Sequence, residues 1–459
     1  MLKNKSVLAV AVGAICASVS GSGMAAALDR SGQSIAAFLR PGNYAEYGAS
    51  FLNPVVDGKD RSGNPTGDMA ESYSFIGAAI KFQATERFSF GFIYDEPFGA
   101  SAAYGGDSEF VSKPTDVVLT GLPIVAGPSI VTGGQVTAIG LNTDLSGGTN
   151  VDMTARNLSA IVGFKPIPGL TLYGGAAYQE LEGNLLVGGS TYSVVNGYTL
   201  GLNAEREWGW LAGVAYEIPE IALKVSLTYR SEIEYEFNAN ESVPLADALG
   251  ANSAQLGGLV QGLVTTGRLP APTGQVITNM LNTFSNGLVA GGTTDVMTPQ
   301  SVNLDFQSGI MADTIAFGNV RWVQWSKFAI RPAQFAQVAD ALGPLVGRPD
   351  GFNLVDYSKD QWSANLGVGR KLSEQIGGSF SVGWDSGAGD PVSTLGPTDG
   401  YWNVGLALRY NPTPKVEISG GIKYLWIGDA EAKTGSGGYA GDFTDNSAVA
   451  AGVKIGLNF

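Results

Sequence analysis

This chain must do its work without imidazole, because its 459 residues contain no histidine. That removes Ser-His-Asp and Cys-His catalysis, His-ligated zinc or haem, and histidine acid–base chemistry in one step. The single cysteine, Cys16, excludes a disulfide scaffold and any cysteine-based metal cluster. Two acidic groups, Asp385, Asp390 and Asp399, and Asp429, Glu431, Asp442 and Asp445, offer oxygen ligands that could hold divalent cations between lipid phosphates. Such charge sets are ordinarily solvated surface, so neither a metal site nor a cofactor is assigned. A net charge of −14 argues against nucleic acid as a partner, since that needs basic stripes. What remains is a glycine- and aromatic-rich, weakly charged chain.

Three sets of residues have types and spacing suited to binding. Between residues 237 and 298, Leu256, Leu259, Val260 and Leu263 recur at helical spacing, as do Ile277, Met280, Leu281 and Phe284. Short amphipathic helices in an exposed loop offer a greasy patch, and such patches mark binding surfaces. The alternative is that the helices bury these faces against one another. Near the start, Phe38 and Leu39 offer apolar contact, and Arg40 offers an anion partner for a carboxylate. The alternative for Arg40 is an ion pair with Glu46 or another acid. The same ambiguity holds for Arg156, Lys165, Arg230, Arg321, Arg370 and Arg409. Finally, Gly91 and Pro97 mark a place where strand pairing could break.

The elements that must position these residues are strands. Residues 1–27 read as a secretory signal peptide: Lys3 and Lys5 form a basic start, Leu8 to Val19 an apolar stretch, and Ala25, Ala26 and Ala27 a cleavage site before Leu28. The alternative, a membrane anchor, suffers from a stretch too short and too rich in Gly and Ser. No later segment offers about 18 consecutive uncharged apolar residues, so a membrane role would require strands.

Alternation with period two runs through most of the remaining chain. Trp402, Val404, Leu406, Leu408 and Tyr410 oppose Tyr401, Asn403, Gly405, Ala407 and Arg409. Phe88, Phe90 and Phe92 oppose Ser89, Gly91 and Ile93. At the C-terminus, Val449, Val453, Ile455, Leu457 and Phe459 oppose Ala450, Gly452, Lys454, Gly456 and Asn458. The polar face holds Gly, Ser, Asn and single charges, which suits a crowded, wet interior better than open solvent. Charged residues are 15% of the chain, against about 25% in soluble domains, and 65 residues are glycine. Aromatic residues crowd strand ends at Trp208, Trp210 and Tyr216; Trp322 and Trp325; Tyr401, Trp402 and Tyr410; and Tyr424 and Trp426. Such girdles mark the two interfaces of an outer-membrane barrel.

Fourteen strands are expected, at 44–56, 69–82, 86–96, 152–165, 169–181, 205–217, 221–236, 299–311, 314–327, 360–371, 375–386, 400–411, 415–428 and 445–459. Tight turns alternate with longer connections at 57–68, 97–151, 182–204, 237–298, 328–359, 387–399 and 429–444. Short periplasmic turns and long extracellular loops sort by side in this way only in a barrel. The fold class is therefore all-β, a closed antiparallel membrane barrel spanning 44–459. Residues 28–43 are expected to form a short N-terminal plug inside it.

The segments 298–306 (TPQSVNLDF), 317–328 (FGNVRWVQWSKF), 360–369 (DQWSANLGVG), 383–386 (GWDS) and 399–406 (DGYWNVGL) resemble consecutive strands of the FadL/TodX family. That family comprises outer-membrane transporters of long-chain fatty acids and other hydrophobic compounds. The segments 30–34 (RSGQS), 42–47 (GNYAEY) and 97–99 (PFG) resemble it near the N-terminus. The Asn-Pro-Ala run of better-known members has no counterpart in 28–43; Asn53, Pro54 and Val55 come nearest, inside the first expected strand.

The resemblance implies capture of a fatty acid or hydrocarbon in a groove between the third and fourth outer loops. There Leu185, Leu186 and Val187 would join Leu256, Leu259, Val260, Leu263, Leu281 and Phe284. It implies transfer to a pocket beside the plug, at Phe38, Leu39 and Arg40, and passive sideways release at a kink in the third strand, at Gly91 and Pro97. The partners expected are the hydrophobic molecule, outer-membrane lipid and lipopolysaccharide, and the barrel assembly machinery, which would read the terminal Phe459. A monomer is expected. An outer-membrane hydrolase is disfavoured because known designs lean on a histidine. The serious alternative is a porin for small polar solutes; a surface adhesin acting through its loops is a third.

Overall fold

The computed structural model describes residues 28–119, 122, 124–127, 139–289 and 292–459; the expected signal peptide lies outside them. Fourteen strands form one antiparallel sheet: β1 (Tyr44–Val55), β2 (Tyr73–Gln83), β3 (Phe88–Asp95), β4 (Asn150–Ile167), β5 (Leu170–Val187), β6 (Tyr198–Ile218) and β7 (Leu223–Arg230), followed by β8 (Ser301–Met311), β9 (Thr314–Val323), β10 (Gln361–Lys371), β11 (Ile376–Asp385), β12 (Tyr401–Thr413), β13 (Val416–Ile427) and β14 (Ser447–Asn458). Each pairs with the next, and β14 pairs with both β13 and β1, from Tyr44↔Asn458 to Val55↔Ser447. The sheet is closed. No described helix is long and apolar enough to span a bilayer.

Burial is inverted relative to a water-soluble barrel. On β12, Trp402, Leu406 and Leu408 are 62%, 58% and 62% exposed, whereas Asn403 and Arg409 are 3% and 4% exposed. On β3 the outward residues are Phe88, Phe90 and Phe92, and the buried ones include Ser89 and Ile93. Polar side chains thus fill the inside and apolar ones the outside, as lipid demands. Trp322 faces Trp362, Trp384 faces Trp402, and Trp402 faces Trp426 across neighbouring strands, so the girdle is real at this end. Two expected members do not belong to it. Trp325 lies beyond the end of β9, fully buried against Phe98, Phe328 and Tyr357. Tyr401 has the opposite parity to Trp402 and packs inward.

Some boundaries also differ. β5 and β6 run 18 and 21 residues and rise well past their neighbours, so the expected loop 182–204 shrinks to 188–197. The expected strand 221–236 splits: β7 stops at Arg230, and Ile233–Asn238 pairs instead with Thr293–Thr298 outside the barrel. Propensity cannot show that split, because both pieces alternate equally well.

Above the barrel, α1 (Pro244–Ala251), α2 (Ser253–Thr265), α3 (Ala271–Ser285) and α4 (Ala333–Leu342) pack with the long loops. They share one apolar cluster, in which Leu245, Leu249, Phe335 and Phe443 are fully or almost fully buried. The molecule therefore has a polar lumen capped by an apolar outer core.

The lipid-facing assignment is tested on adjacent layers of one wall. Leu406→Arg should destabilise the barrel by about 2–4 kcal/mol, while the lumen change Ser379→Arg should cost much less. Urea unfolding of the full chain in lipid vesicles measures both; equal costs would contradict the inside-out reading.

Candidate functional site

The lumen is built around residues 28–43, which descend from the long-loop end to the short-turn end. Lumen cations hold the carbonyls of this segment. Lys81 donates to the Arg40 carbonyl at 2.5 Å, Lys224 to that of Leu39 at 2.5 Å, and Arg230 to that of Gln33 at 2.7 Å. The Asn303 amide donates to the Gly32 carbonyl at 2.7 Å. Arg321 reaches Asp29 with Nε at 2.6 Å and also donates to Gln33 and Asn303. The Ser31 hydroxyl donates to Asp95 at 2.8 Å. Irregular backbone cannot satisfy itself, so a segment inside a barrel needs such partners.

Of the residues the sequence singled out, Arg40 forms an ion pair with Glu417 at 2.8 Å and lies over the Tyr44 ring. Its partner is thus an acid, though not Glu46, which pairs with Lys454 at 3.1 Å. Phe38 is buried with Ile35, Ile93, Ile161, Tyr173 and Leu211, and Leu39 packs at the edge of that cluster. A Cβ on Gly91 would lie 2.8 Å from the Phe38 ring, and one on Gly163 would lie 3.0 Å from it. These two glycines form a seat for Phe38.

Gly91 is therefore not where the wall breaks: it pairs with Lys81 on one side and Ile161 on the other. The break lies higher in the wall, at Pro97. The β2–β3 ladder ends at Ala78↔Tyr94, and the next bridge is Ala70↔Ala102. Between them the chain at Glu96–Gly99 leaves β2 and bonds the N-terminal segment instead. Arg30 N–H donates to the Pro97 carbonyl at 2.7 Å, Gly99 N–H donates to the Leu28 carbonyl at 2.8 Å, and Asp29 bridges Phe98. Proline has no N–H for a ladder, which fits its place here. The Arg30 guanidinium covers the gap from inside, 4.0 Å over the Tyr73 ring.

Beside the break is an apolar pocket of about 60 Å³. Its wall includes Leu28, Ala100, Met153, Leu185, Leu202 and Phe328, with Leu354 and Leu395 from the outer loops. Long-range folding alone unites these residues, and only Leu185 among them is expected from the sequence. Leu186 is half-buried and Val187 is buried in the outer core. Leu256, Val260, Leu281 and Phe284 are buried where α1, α2 and α3 meet, and Leu259 and Leu263 are half-buried. The helices thus direct most of that stripe at one another. A second, larger cavity of about 920 Å³ occupies the short-turn half of the lumen under the N-terminal segment, where charged side chains such as Arg40, Lys224 and Glu417 share the wall with a larger apolar surface that includes Ile35, Leu39, Phe306 and Phe317.

A sequence profile of the family described as "Outer membrane protein transport protein (OMPP1/FadL/TodX)" matches residues 141–459. The chain belongs to this family. It is an outer-membrane transport protein, not an enzyme, in a family of transporters of hydrophobic compounds. A FadL homologue of Pseudomonas aeruginosa shares the fold, with TM-score 0.62 and 12% identity over 92% of both chains. So does the toluene transporter TodX of P. putida, with TM-score 0.55 and 11% identity over 92% of this chain and 91% of that one. A TodX deltaS2S3 mutant, a monoaromatic hydrocarbon channel, gives TM-score 0.57 at 12% identity over 97% and 98%. No curated protein matches in sequence.

The hold on the N-terminal segment can be tested at its centre. Arg321→Ala strands the buried Asp29 carboxylate, a loss of about 3–5 kcal/mol for a buried pair with one partner removed. Hydrogen–deuterium exchange of the 28–40 amides should rise sharply while β8 and β9 stay protected. Unchanged exchange would show that other contacts suffice.

Proposed function

We propose that the protein takes up hydrophobic compounds, long-chain fatty acids first among them, and releases them sideways into the outer membrane. The observation that carries this reading is the contiguity of pocket and wall break. Leu28 and Ala100 line the apolar pocket, and the Leu28 carbonyl and the 96–100 stretch form the inner edge of the break. An apolar solute gains about 25 cal/mol per Å² on leaving water, so a greasy pocket beside an opening towards lipid sets a downhill route.

A straight path through the lumen is uphill for such a solute. It would meet the charged cavity at Arg40, Lys224, Glu417 and Lys454. Residues 28–43 act as a plug that closes that path and present Leu28 to the cargo. At about 60 Å³ the pocket is below the ~300–1,000 Å³ of ordinary small-molecule sites, so a long chain enters by parting the outer loops. Leu259 and Leu263, half-buried on α2, offer the first apolar contact. The partners of this cycle are lipid, lipopolysaccharide and, during assembly, the machinery that reads Phe459; the working unit is a monomer.

Uptake of radiolabelled oleate by cells producing the full chain tests the route. Leu259→Asp with Leu263→Asp should lower uptake severalfold with the barrel still folded. Cysteines introduced by Ser74→Cys and Glu96→Cys, joined across the break by a short thiol cross-linker, should stop release until the linker is cleaved. Full uptake in the cross-linked form would discard lateral exit. The charged lower cavity favours the porin reading, and planar-bilayer recording decides it: large steady conductance from the unmodified chain would replace the uptake proposal.

A further inference from the structure

The apolar pocket beside the wall break is bounded in part by the outer-loop segment that leads into β10. Main-chain pairing fixes that segment. Ala329 faces Asp356 and Ile330 faces Val355 in a short antiparallel pair, and the Leu354 N–H donates to the Ile330 carbonyl at 2.9 Å. The Asp356 carboxylate is tied by the Asn353 amide at 3.2 Å and by Lys433 at 3.5 Å. Tyr357 follows directly. Its ring packs against Trp325 with centres 5.3 Å apart and against Phe328 at 5.6 Å. Trp325 in turn meets Phe98 at 5.6 Å, and its indole N–H donates to Gln361 at 2.7 Å. An aromatic chain of Tyr357, Trp325 and Phe98 therefore joins the pocket wall to the break.

Tyr357 lines the pocket, yet its hydroxyl has no hydrogen-bond partner among the described residues. A hydroxyl withdrawn from water without a partner costs stability, and phenylalanine would keep the ring contacts without that cost. Other tyrosines of the outer region are satisfied. Tyr104 donates to the Thr394 carbonyl at 2.7 Å, Tyr192 to the Thr394 hydroxyl at 2.9 Å, and Tyr235 to the Gln179 carbonyl at 3.3 Å. Burial pushes the Tyr357 phenol up from the usual tyrosine range, so it stays a neutral donor.

Little else in the lining competes for that role. The other polar side chains are Asn184, which is exposed, and Ser393, whose hydroxyl accepts the Leu395 N–H at 3.2 Å. No Lys, Arg, Asp or Glu is among the described residues that line the pocket. A neutral oxygen beside Tyr357 gains a hydrogen bond, whereas an ionised carboxylate finds no counter-charge among the lining side chains.

Resting on the uptake reading above, we propose that Tyr357 sets the specificity of this pocket: its hydroxyl donates to the single oxygen of an uncharged hydrophobic compound, such as an alkyl ketone or ester, whose hydrocarbon part lies against Met153, Leu185, Leu202 and Phe328. Acids then cross this point in their uncharged form, and plain hydrocarbons are held less tightly than ketones of the same length.

Binding of tritiated 2-nonanone, nonane and nonanoate to the full chain in lipid nanodiscs tests this at mildly alkaline pH, with empty nanodiscs subtracting partition into lipid. The ketone should bind about three- to tenfold more tightly than nonane, as one neutral hydrogen bond implies. Tyr357→Phe should abolish that difference and leave nonane unchanged. The infrared carbonyl stretch of the bound ketone should lie below its value in hydrocarbon solvent, and return to it in Tyr357→Phe. Equal ketone affinity in wild type and a folded Tyr357→Phe variant overturns the inference, as does nonanoate binding as tightly as the ketone; nonane binding in either case leaves the uptake reading standing. Absence of protein-dependent binding of both ketone and nonane overturns the uptake reading at this pocket and the inference with it. Should Tyr357→Phe fail to fold, the carbonyl stretch in the unmodified chain decides alone, and a value equal to that in hydrocarbon solvent refutes the proposal.

Discussion

Lipid offers the backbone no hydrogen bonds, and most of this structure follows from that constraint. An open sheet would leave two edges bare in hydrocarbon, so β14 returns to β1 over twelve consecutive residue pairs, Tyr44↔Asn458 to Val55↔Ser447. Closure forces one set of side chains outward and the other into a narrow lumen. The outward set must be apolar and the inward set small or polar, which is why Leu406 and Arg409 differ so much in exposure although only three residues apart.

The same constraint governs residues 28–43. They form no regular ladder of their own, so their carbonyls need donors from the wall. Lys81, Lys224, Arg230 and Asn303 provide them, and Asp29 and Arg40 add buried ion pairs with Arg321 and Glu417. Of the cations ambiguous when read singly, Arg40, Arg230 and Arg321 hold this segment across the lumen, whereas Arg156 and Arg370, expected inside, have the parity of the lipid-facing residues and lie on the outward face. Where that segment borrows hydrogen bonds from Pro97 and Gly99, the wall itself loses its pairing with β2. The N-terminal segment and β2 thus exchange places as backbone partners of this stretch, and the apolar pocket lies at the point of exchange.

Much of this is legible in the sequence. The strand count, the sorting of turns and loops by side, and the lipid-facing parity all follow from alternation, since a period of two is written residue by residue. Residue type without parity misleads: Trp325 and Tyr401 look like girdle residues by type, but one lies past its strand and the other on the inward face. Pro97 marks the kink at the end of the expected strand, whereas Gly91 is a seat for Phe38, a role that depends on a residue 53 positions away in the chain. The helical stripe at Leu256, Val260, Leu281 and Phe284 is amphipathic as its spacing implies, but whether such a face meets ligand, lipid or another helix is invisible without its neighbours.

The amino-acid order alone therefore determined a closed fourteen-strand barrel, its orientation of apolar and polar faces, and the exclusion of histidine-based catalysis. Those properties come from local periodicity and from residue types that are present or missing. Only the tertiary structure decided which acid each lumen cation meets, that Leu28, Ala100, Leu185 and Leu395 share one pocket, and that Lys423 lines the lumen cavity without an ion-pair partner among the described residues. Those facts depend on contacts between residues hundreds of positions apart, set by barrel closure and loop packing, and no local pattern encodes them.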